Sequence, residues 1–184
     1  MNAEQKNFIE VVGAIASADM KNSGVAASLT TAQAILESAW GKSELTKTGN
    51  ALFGIKATKD WKGKTLTRKT TEYEDGKKVQ VEAEFRAYDT WEDSVKDHSA
   101  FLKKYKRYAK VIGETDYKEA CNAVAAAGYA SDQEYAKKLI ELIETYELYN
   151  YDTKNTNTDD LGAEDKKYYR VQAGAYRRKE GADL

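Results

Sequence analysis

Hydrophobic residues in the first quarter of the chain recur at helical spacing. The pattern predicts one amphipathic helix that ends around residues 22–24 and a second that is capped by Thr30 or Thr31 and stopped by Gly41. The apolar positions of the first are Phe8, Val11, Val12, Ile15 and Ala16. Those of the second are Leu29, Ala32, Leu36, Ala39 and Trp40. Each helix should therefore turn one apolar stripe towards a core.

Between residues 61 and 88 the hydrophobic period changes to two. Apolar side chains alternate with polar ones along residues 79–87, as expected for a half-buried strand, and the threonine-rich run 66–73 is its partner. An Asp75-Gly76 pair lies between the two runs and is a hairpin signal. Before the hairpin, residues 46–50 are predicted to form a loop and residues 51–56 a short apolar segment.

Helical spacing returns after the hairpin in three stretches. Their apolar markers are Trp91, Val95, His98 and Leu102, then Tyr117, Ala120, Cys121 and Val124, and finally Tyr135, Leu139, Leu142, Ile143 and Tyr146. We predict an α+β domain over residues 1–151, mainly helical with one small β-hairpin lobe. A polar, unpatterned linker over residues 152–166 follows, and then a final segment, 167–184.

Composition narrows the possible partners. The 184 residues include 29 basic and 30 acidic side chains, so bulk charge gives no indication of nucleic-acid binding. No apolar run approaches the length of a membrane span. One cysteine, Cys121, and one histidine, His98, exclude an internal disulfide and a multi-ligand Cys/His zinc site, and the chain shows no other metal-ligand spacing. The spacing thus predicts no metal site, and we also predict a monomer without a cofactor.

Glu37 is the first candidate for chemistry. It lies in the last turn of the second predicted helix, where the helix dipole and the apolar neighbours both disfavour a carboxylate and raise its pKa. A carboxyl group that stays protonated near neutral pH is what a general acid requires. The alternative is an ordinary exposed glutamate on a solvated helix flank.

Several motifs together resemble the endo-β-N-acetylglucosaminidases of glycoside hydrolase family 73, which include autolysins and phage endolysins. The matching stretches, in chain order, are residues 34–41, 50–56, 70–73, 85–88 and 127–136. The resemblance implies a lysozyme-like fold and cleavage of peptidoglycan glycan strands after N-acetylglucosamine. The same scaffold also suits a muramidase or lytic transglycosylase, and a non-catalytic glycan-binding module is the alternative from a different class.

The resemblance also implies roles for individual residues. Glu37 matches the family's catalytic acid, Glu72 its second carboxylate and Tyr129 a tyrosine of the catalytic site. Competing acids on the same hairpin are Glu74, Asp75, Glu82 and Glu84, and the substrate's own N-acetyl oxygen is another alternative. The implied substrate-binding residues are Asn50, Phe53, Gly54 and Tyr135, although packing also accounts for Phe53 and Tyr135.

Both ends of the chain bear on where the protein is expected to act. Residues 168–176 alternate like the opening strand of SPOR domains, which bind glycan strands, so residues 167–184 resemble part of a wall-binding module. The first residues show no signal peptide. The expected site of action is the cell wall, reached either by a phage enzyme released through a holin or by an autolysin cut from its leader.

Overall fold

Seven α-helices and one β-hairpin make up the described part of the chain. The computed structural model describes residues 1–74 and 77–153, without the side chains of residues 71–78 and 153. The elements are α1 (Ala3–Ser23), α2 (Ala27–Ser38), α3 (Glu44–Gly49), β1 (Lys64–Glu74), β2 (Lys77–Ala87), α4 (Trp91–Lys104), a short 3₁₀ helix (Lys106–Tyr108), α5 (Tyr117–Ala126), α6 (Tyr135–Thr145) and α7 (Asn150–Thr153).

Helix α2 lies at the centre of the helical body. It packs against α1, α5, α6 and α7, and every residue from Ala27 to Ile35 is buried. The prediction of a single apolar stripe was therefore wrong, because neighbours surround the helix on all sides. Leu36, which we had placed in the stripe, is 37% exposed because α2 emerges from the body at this end.

The two ends of α2 also differ from the prediction. The helix begins at Ala27, so neither Thr30 nor Thr31 caps it. Instead, the backbone N–H of Ser28 donates a hydrogen bond to Oδ1 of Asp152 at 2.8 Å, so a residue 124 positions away satisfies the helix start. The helix ends at Ser38, before Gly41, with Ala39 as its left-handed cap.

The hairpin has the predicted strands. Strands β1 and β2 pair antiparallel over their whole length, from Lys64 opposite Ala87 to Glu74 opposite Lys77. Among the hairpin side chains that the structure describes, only those at its base are deeply buried, namely Phe85, Arg86 and Ala87. Residues 55–57 pair with the same strand: Arg86 N–H donates to the Ile55 carbonyl and Ala57 N–H donates to the Glu84 carbonyl, each at 2.8 Å.

Residues 46–50, predicted to form a loop, belong mostly to α3. Ser43 caps this helix by accepting a hydrogen bond from the Thr46 N–H, and Asn50 ends it in the left-handed conformation. The threonines and glycine that suggested a loop are compatible with one short helix between two good caps.

At the C-terminal end, Asp152 lies in α7 and binds α2, so residue 152 is part of the folded body although the predicted linker began there. The chain divides into the units Met1–Lys154 and Asn155–Leu184. The predicted linker beyond residue 153 and the SPOR-like segment 167–184 lie outside the described residues.

Candidate active site

A cleft of about 320 Å³ opens beside the C-terminal end of α2. It is lined by one acid, two basic side chains and several aromatic and apolar groups: Glu37, Phe53, Gly54, Ile55, Lys56, Thr58, Phe101, Arg107, Tyr108 and Tyr129. A concave surface with aromatic walls and a carboxyl group suits a sugar ligand, whose rings offer apolar faces and whose hydroxyls need polar partners.

Glu37 has the environment that its helical position predicted. The residue is solvent-exposed, yet the protein around its carboxyl group removes enough water to raise its pKa. One interaction opposes this shift: the Tyr135 hydroxyl donates a hydrogen bond to Oε1 of Glu37 at 2.7 Å and so favours the ionised form. Burial is the larger effect. The carboxyl group therefore holds its proton to a higher pH than an ordinary glutamate.

The backbone after Glu37 is shaped to end the helix at the cleft. Three consecutive residues have positive φ, namely Ala39 (49°), Trp40 (62°) and Gly41 (76°). Two of them carry side chains, for which this conformation is unfavourable, so the surrounding packing must hold it. The Trp40 ring meets Phe8 at 6.1 Å and Tyr146 at 5.2 Å, edge to face. A fixed helix end leaves little freedom for Glu37.

An aromatic cluster forms the floor of the cleft. The Phe53 ring stacks on His98 at 4.0 Å, and Tyr129 meets His98 edge to face at 5.9 Å. Tyr129 also stacks on Tyr135 at 5.9 Å. Burial and the charge of Glu37 raise the pKa of Tyr129, so its hydroxyl stays protonated and can donate a hydrogen bond to a ligand.

His98 is a packing residue in this floor. It is fully buried, and the loss of water lowers its pKa to about 3, so it is neutral. Cys121 is likewise buried in the core. Among the described residues, no group of three His, Cys, Asp or Glu side chains is arranged to hold a metal ion, and no helix is long and apolar enough to cross a membrane.

Comparison with known proteins identifies the family. A family model described as mannosyl-glycoprotein endo-beta-N-acetylglucosaminidase, the glucosaminidase family, matches residues 13–148. The chain belongs to the glucosaminidase family. The match includes α2 with Glu37, the hairpin and the aromatic floor, so every predicted site residue lies within the glucosaminidase region.

Individual relatives are consistent with this family assignment. Exo-glucosaminidase LytG of Bacillus subtilis is 40% identical over 157 residues, covering 83% of this chain and 55% of LytG. Peptidoglycan hydrolase FlgJ of Salmonella typhimurium is 35% identical over 148 residues, covering 78% of this chain and 47% of FlgJ. The chain thus spans about half the length of these two relatives.

A solved structure supports the fold. The catalytic domain of the autolysin Auto from Listeria monocytogenes is similar with a TM-score of 0.75 at 34% identity, covering 83% of this chain and 89% of that domain. The predicted α+β, lysozyme-like architecture, mainly helical with a small hairpin, is confirmed.

The predicted site residues fall into three groups in this glucosaminidase fold. Glu37, Phe53, Gly54 and Tyr129 line the cleft together. Asn50 and Tyr135 do not line it, and both are held by hydrogen bonds inside the protein. The backbone of Glu72 lies in β1 opposite Val79, and its side chain is outside the described residues.

Asn50 has a structural position. Its side-chain amide donates to the carbonyls of Tyr88 and Asp89 at 3.1 and 3.0 Å, which ties the end of α3 to the end of β2. Its φ of 51° also makes it the left-handed cap of α3. These contacts hold α3 against the end of β2 and give the Asn50 amide a structural role, while its predicted role in substrate binding stays a prediction.

Sequence reasoning missed Gln33, Arg107 and Tyr108. Arg107 and Tyr108 come from the 3₁₀ helix after α4, a segment with no periodicity to single them out. Gln33 is different, because it lies one helical turn before Glu37 and is flanked by Ala32 and Ala34. A polar side chain in so apolar a stretch, on the face of the candidate acid, was a usable signal.

Proposed function

We propose that this protein hydrolyses the β-1,4 glycosidic bond after N-acetylglucosamine in peptidoglycan glycan strands, as a monomer acting at the cell wall, with Glu37 as the general acid. The observation that carries this proposal is the position of Glu37: in a glucosaminidase fold, it is the one acid that lines the aromatic cleft among the described side chains, and its pKa is raised by burial. Membership of the family supports the bond type. The name of the peptidoglycan hydrolase FlgJ supports peptidoglycan as the substrate.

The proposed reaction begins with proton transfer from Glu37 to the leaving glycosidic oxygen. As the bond between that oxygen and the anomeric carbon breaks, positive charge develops on the sugar ring and Glu37 becomes a carboxylate. A raised pKa keeps the acid protonated until this step. The aromatic floor, with Phe53 and Tyr129, offers flat surfaces against which sugar rings can pack.

A second carboxylate usually completes such a site, either as nucleophile or as base for the attacking water. We propose Glu72 for this role, since its backbone lies on the hairpin. Strand β2 of this hairpin pairs with residues 55–57, part of the segment that lines one side of the cleft. Glu82 and Glu84 on the partner strand are exposed and are the alternatives to test. Tyr129 would then orient the substrate's acetamido group or the attacking water through its hydroxyl.

Product analysis tests the proposed bond. Purified peptidoglycan is digested with the protein, reduced with borohydride and examined by mass spectrometry. We expect new reducing ends that all carry N-acetylglucosaminitol. Reduced muramic ends would instead show a muramidase, anhydromuramic ends a lytic transglycosylase, and intact glycan a binding module. Each of these outcomes would overturn the proposal.

The time course of the same digestion addresses the mode of attack. LytG bears the name of an exo-enzyme, whereas the family description names an endo-enzyme. The cleft is bounded by groups from residues 53–58 on one side and 101–108 on the other, and it is open to solvent at Glu37. We therefore expect endo cleavage, with long oligosaccharides appearing first. Release of only short terminal fragments from the start would contradict this part of the proposal.

A further inference from the structure

A chain of two hydrogen bonds connects Glu37 to the interior of the helical body. Nε2 of Gln33 donates to the Tyr135 hydroxyl at 3.1 Å, and that hydroxyl lies 2.7 Å from Oε1 of Glu37. Gln33 is fully buried and Tyr135 is 2% exposed. Tyr135 is therefore shielded from the cleft, and its contact with Glu37 is an internal one.

With the amide nitrogen of Gln33 facing Tyr135, the donors and acceptors of the three groups set the direction of both bonds. An amide NH₂ can only donate, so the Tyr135 oxygen accepts from Gln33. Tyr135 has one proton of its own, and Glu37 is the acceptor within reach. The hydroxyl proton therefore points at Oε1 of Glu37. Removing Gln33 would leave that hydroxyl without the partner that sets its orientation.

The direction of the hydrogen bond from Tyr135 determines which oxygen of Glu37 can carry the acidic proton. Because Oε1 already accepts the tyrosine proton, an added proton on Glu37 goes to Oε2. We propose that Gln33 and Tyr135 are positioning residues for the acid, Gln33 by turning the Tyr135 hydroxyl towards Oε1 and Tyr135 by leaving Oε2 to carry the proton that is transferred. This inference rests on the proposed role of Glu37 as the general acid.

The same arrangement favours the charge that forms during reaction. When the proton leaves Oε2 for the glycosidic oxygen, negative charge spreads over both carboxyl oxygens of Glu37. The fixed hydroxyl at Oε1 then becomes a charge-assisted donor, which is stronger than its bond to the neutral acid. Tyr135 thus interacts more strongly with the transition state than with the ground state, which is the condition for raising kcat.

Other titratable and charged groups also face Glu37 and must be held constant in any test. They come from the cleft wall, from the 3₁₀ helix and from the segment after α5: Lys56, Arg107, Tyr108 and Tyr129. None of them is itself substituted in Gln33 or Tyr135 variants, and Tyr135→Phe keeps the ring that stacks on Tyr129. A shift in the titration of Glu37 caused by those changes would therefore report on the hydrogen-bond chain.

The test uses the full chain with two substitutions, Tyr135→Phe and Gln33→Met, and their combination. Methionine keeps the length and unbranched shape of glutamine. The pKa of Glu37 is measured by NMR titration of ¹³C-labelled glutamate carboxyls, and kcat and KM are measured on soluble glycan fragments over pH. Thermal unfolding identifies variants that have lost the fold. If Tyr135→Phe is among them, the titration of Glu37 in Gln33→Met tests the inference by itself.

We expect Tyr135→Phe to raise the pKa of Glu37 and to move the alkaline limb of the kcat–pH profile to higher pH. We also expect kcat to fall by about 10–100-fold, with KM changed by less than about twofold. Gln33→Met should shift the pKa in the same direction by less. The double variant should match Tyr135→Phe, because Gln33 acts only through the hydroxyl. An unshifted pKa in Tyr135→Phe, or additive effects in the double variant, would overturn the inference.

Failure of this inference can be told from failure of the proposed function. The NMR titration reports on Glu37 whether or not that residue is catalytic. If Glu37→Gln kept full turnover, the proposed function would fall even with a shifted pKa. If Glu37→Gln abolished turnover while the pKa ignored both substitutions, only the positioning role would fall.

Discussion

The two parts of the molecule proposed to supply the carboxylates are built very differently. Glu37 projects from a helix that four other helices surround and whose first nine residues are all buried. Glu72 lies on a two-stranded hairpin with no third full strand beside it in the described residues, and only the hairpin's base is deeply buried. A lone hairpin is marginally stable in water. The acid is therefore held by a core, and its proposed partner by a few contacts at one end of a ribbon.

Those few contacts centre on Arg86. Arg86 is 7% exposed, and its guanidinium donates to both carboxylate oxygens of Asp97 on α4 at 3.0 and 2.9 Å. The Tyr88 hydroxyl donates to the same carboxylate at 2.7 Å, and the Trp61 ring covers the guanidinium at 4.7 Å. This ion pair joins the end of β2 to the helical body.

The largest expected effect is the loss of turnover when Glu37, at the end of α2, is substituted. Glu37→Gln keeps the shape and the acceptor for Tyr135 but removes the proton donor, so turnover of peptidoglycan should fall by about 10²–10⁴-fold. The measurement is the rate of release of reducing ends. The matched control is Glu141→Gln, which changes an exposed glutamate on α6 and should leave the rate unchanged. Equal rates for wild type and Glu37→Gln would remove Glu37 from the mechanism.

The anchor of the hairpin should give the next largest effect. Asp97→Asn leaves the buried Arg86 charge without its counter-ion, and breaking such a pair costs about 3 kcal/mol of unfolding free energy. Urea unfolding measures this loss. Glu92→Gln is the control, because it breaks an exposed i, i+4 pair with Lys96 on the same helix and should cost about 0.5 kcal/mol or less. Similar stabilities for both variants would show that the pair does not anchor the hairpin.

Glu72 gives a smaller expected effect because the hairpin offers other acids and the substrate offers its N-acetyl oxygen. We expect Glu72→Gln to lower kcat by about 10²-fold, at the lower end of the range for acid–base catalysis. Glu82→Gln and Glu84→Gln are matched controls on the facing strand and should retain wild-type rates. A larger loss in either control would move the second carboxylate to that position, and no loss in any variant would favour the substrate's own group.

The same contrast explains how much could be predicted from the sequence. The hairpin was predictable because its period of two and its Asp-Gly pair are local signals, and α1 and α4 were predictable because each has a solvated face. Helix α2 was only partly predictable: a helix buried on all sides has no stripe, so Leu36 was assigned to the core and both ends were misplaced. The Asp152 cap could not be foreseen, since it depends on how distant segments fold together.

The candidate site divides in the same way. The raised pKa of Glu37 was predicted on physical grounds, because the helix end, the apolar neighbours and the acid lie within one turn, whereas its proposed catalytic role came from the family resemblance. The bond from Tyr135 joins residues 98 positions apart, and no local pattern encodes it. Tyr135 was accordingly assigned to substrate binding or to packing, although it contacts the acid itself.

The smallest expected effect is the contribution of Glu37 to the pH dependence of the unfolding free energy. Burial raises the pKa of Glu37 in the folded protein above its unfolded value, so between those values the folded state binds more protons. Its contribution to stability is therefore greatest below the unfolded pKa and declines as pH rises through the folded pKa. Solvent screening keeps the effect small, because Glu37 is partly exposed.

The side chain introduced by Glu37→Gln does not titrate. The unfolding free energy of this variant should therefore rise relative to that of the wild type as pH increases from about 4.3, the pKa of an unfolded glutamate, through the raised folded pKa of Glu37. Urea unfolding of both proteins at several pH values measures this difference and cancels the contributions of all other acids. A gain would show that the helical body tolerates a destabilising acid for the sake of the reaction, a common feature of catalytic sites. A constant difference across the range would mean that burial does not raise the pKa of Glu37, and the acid would then have to be sought on the hairpin.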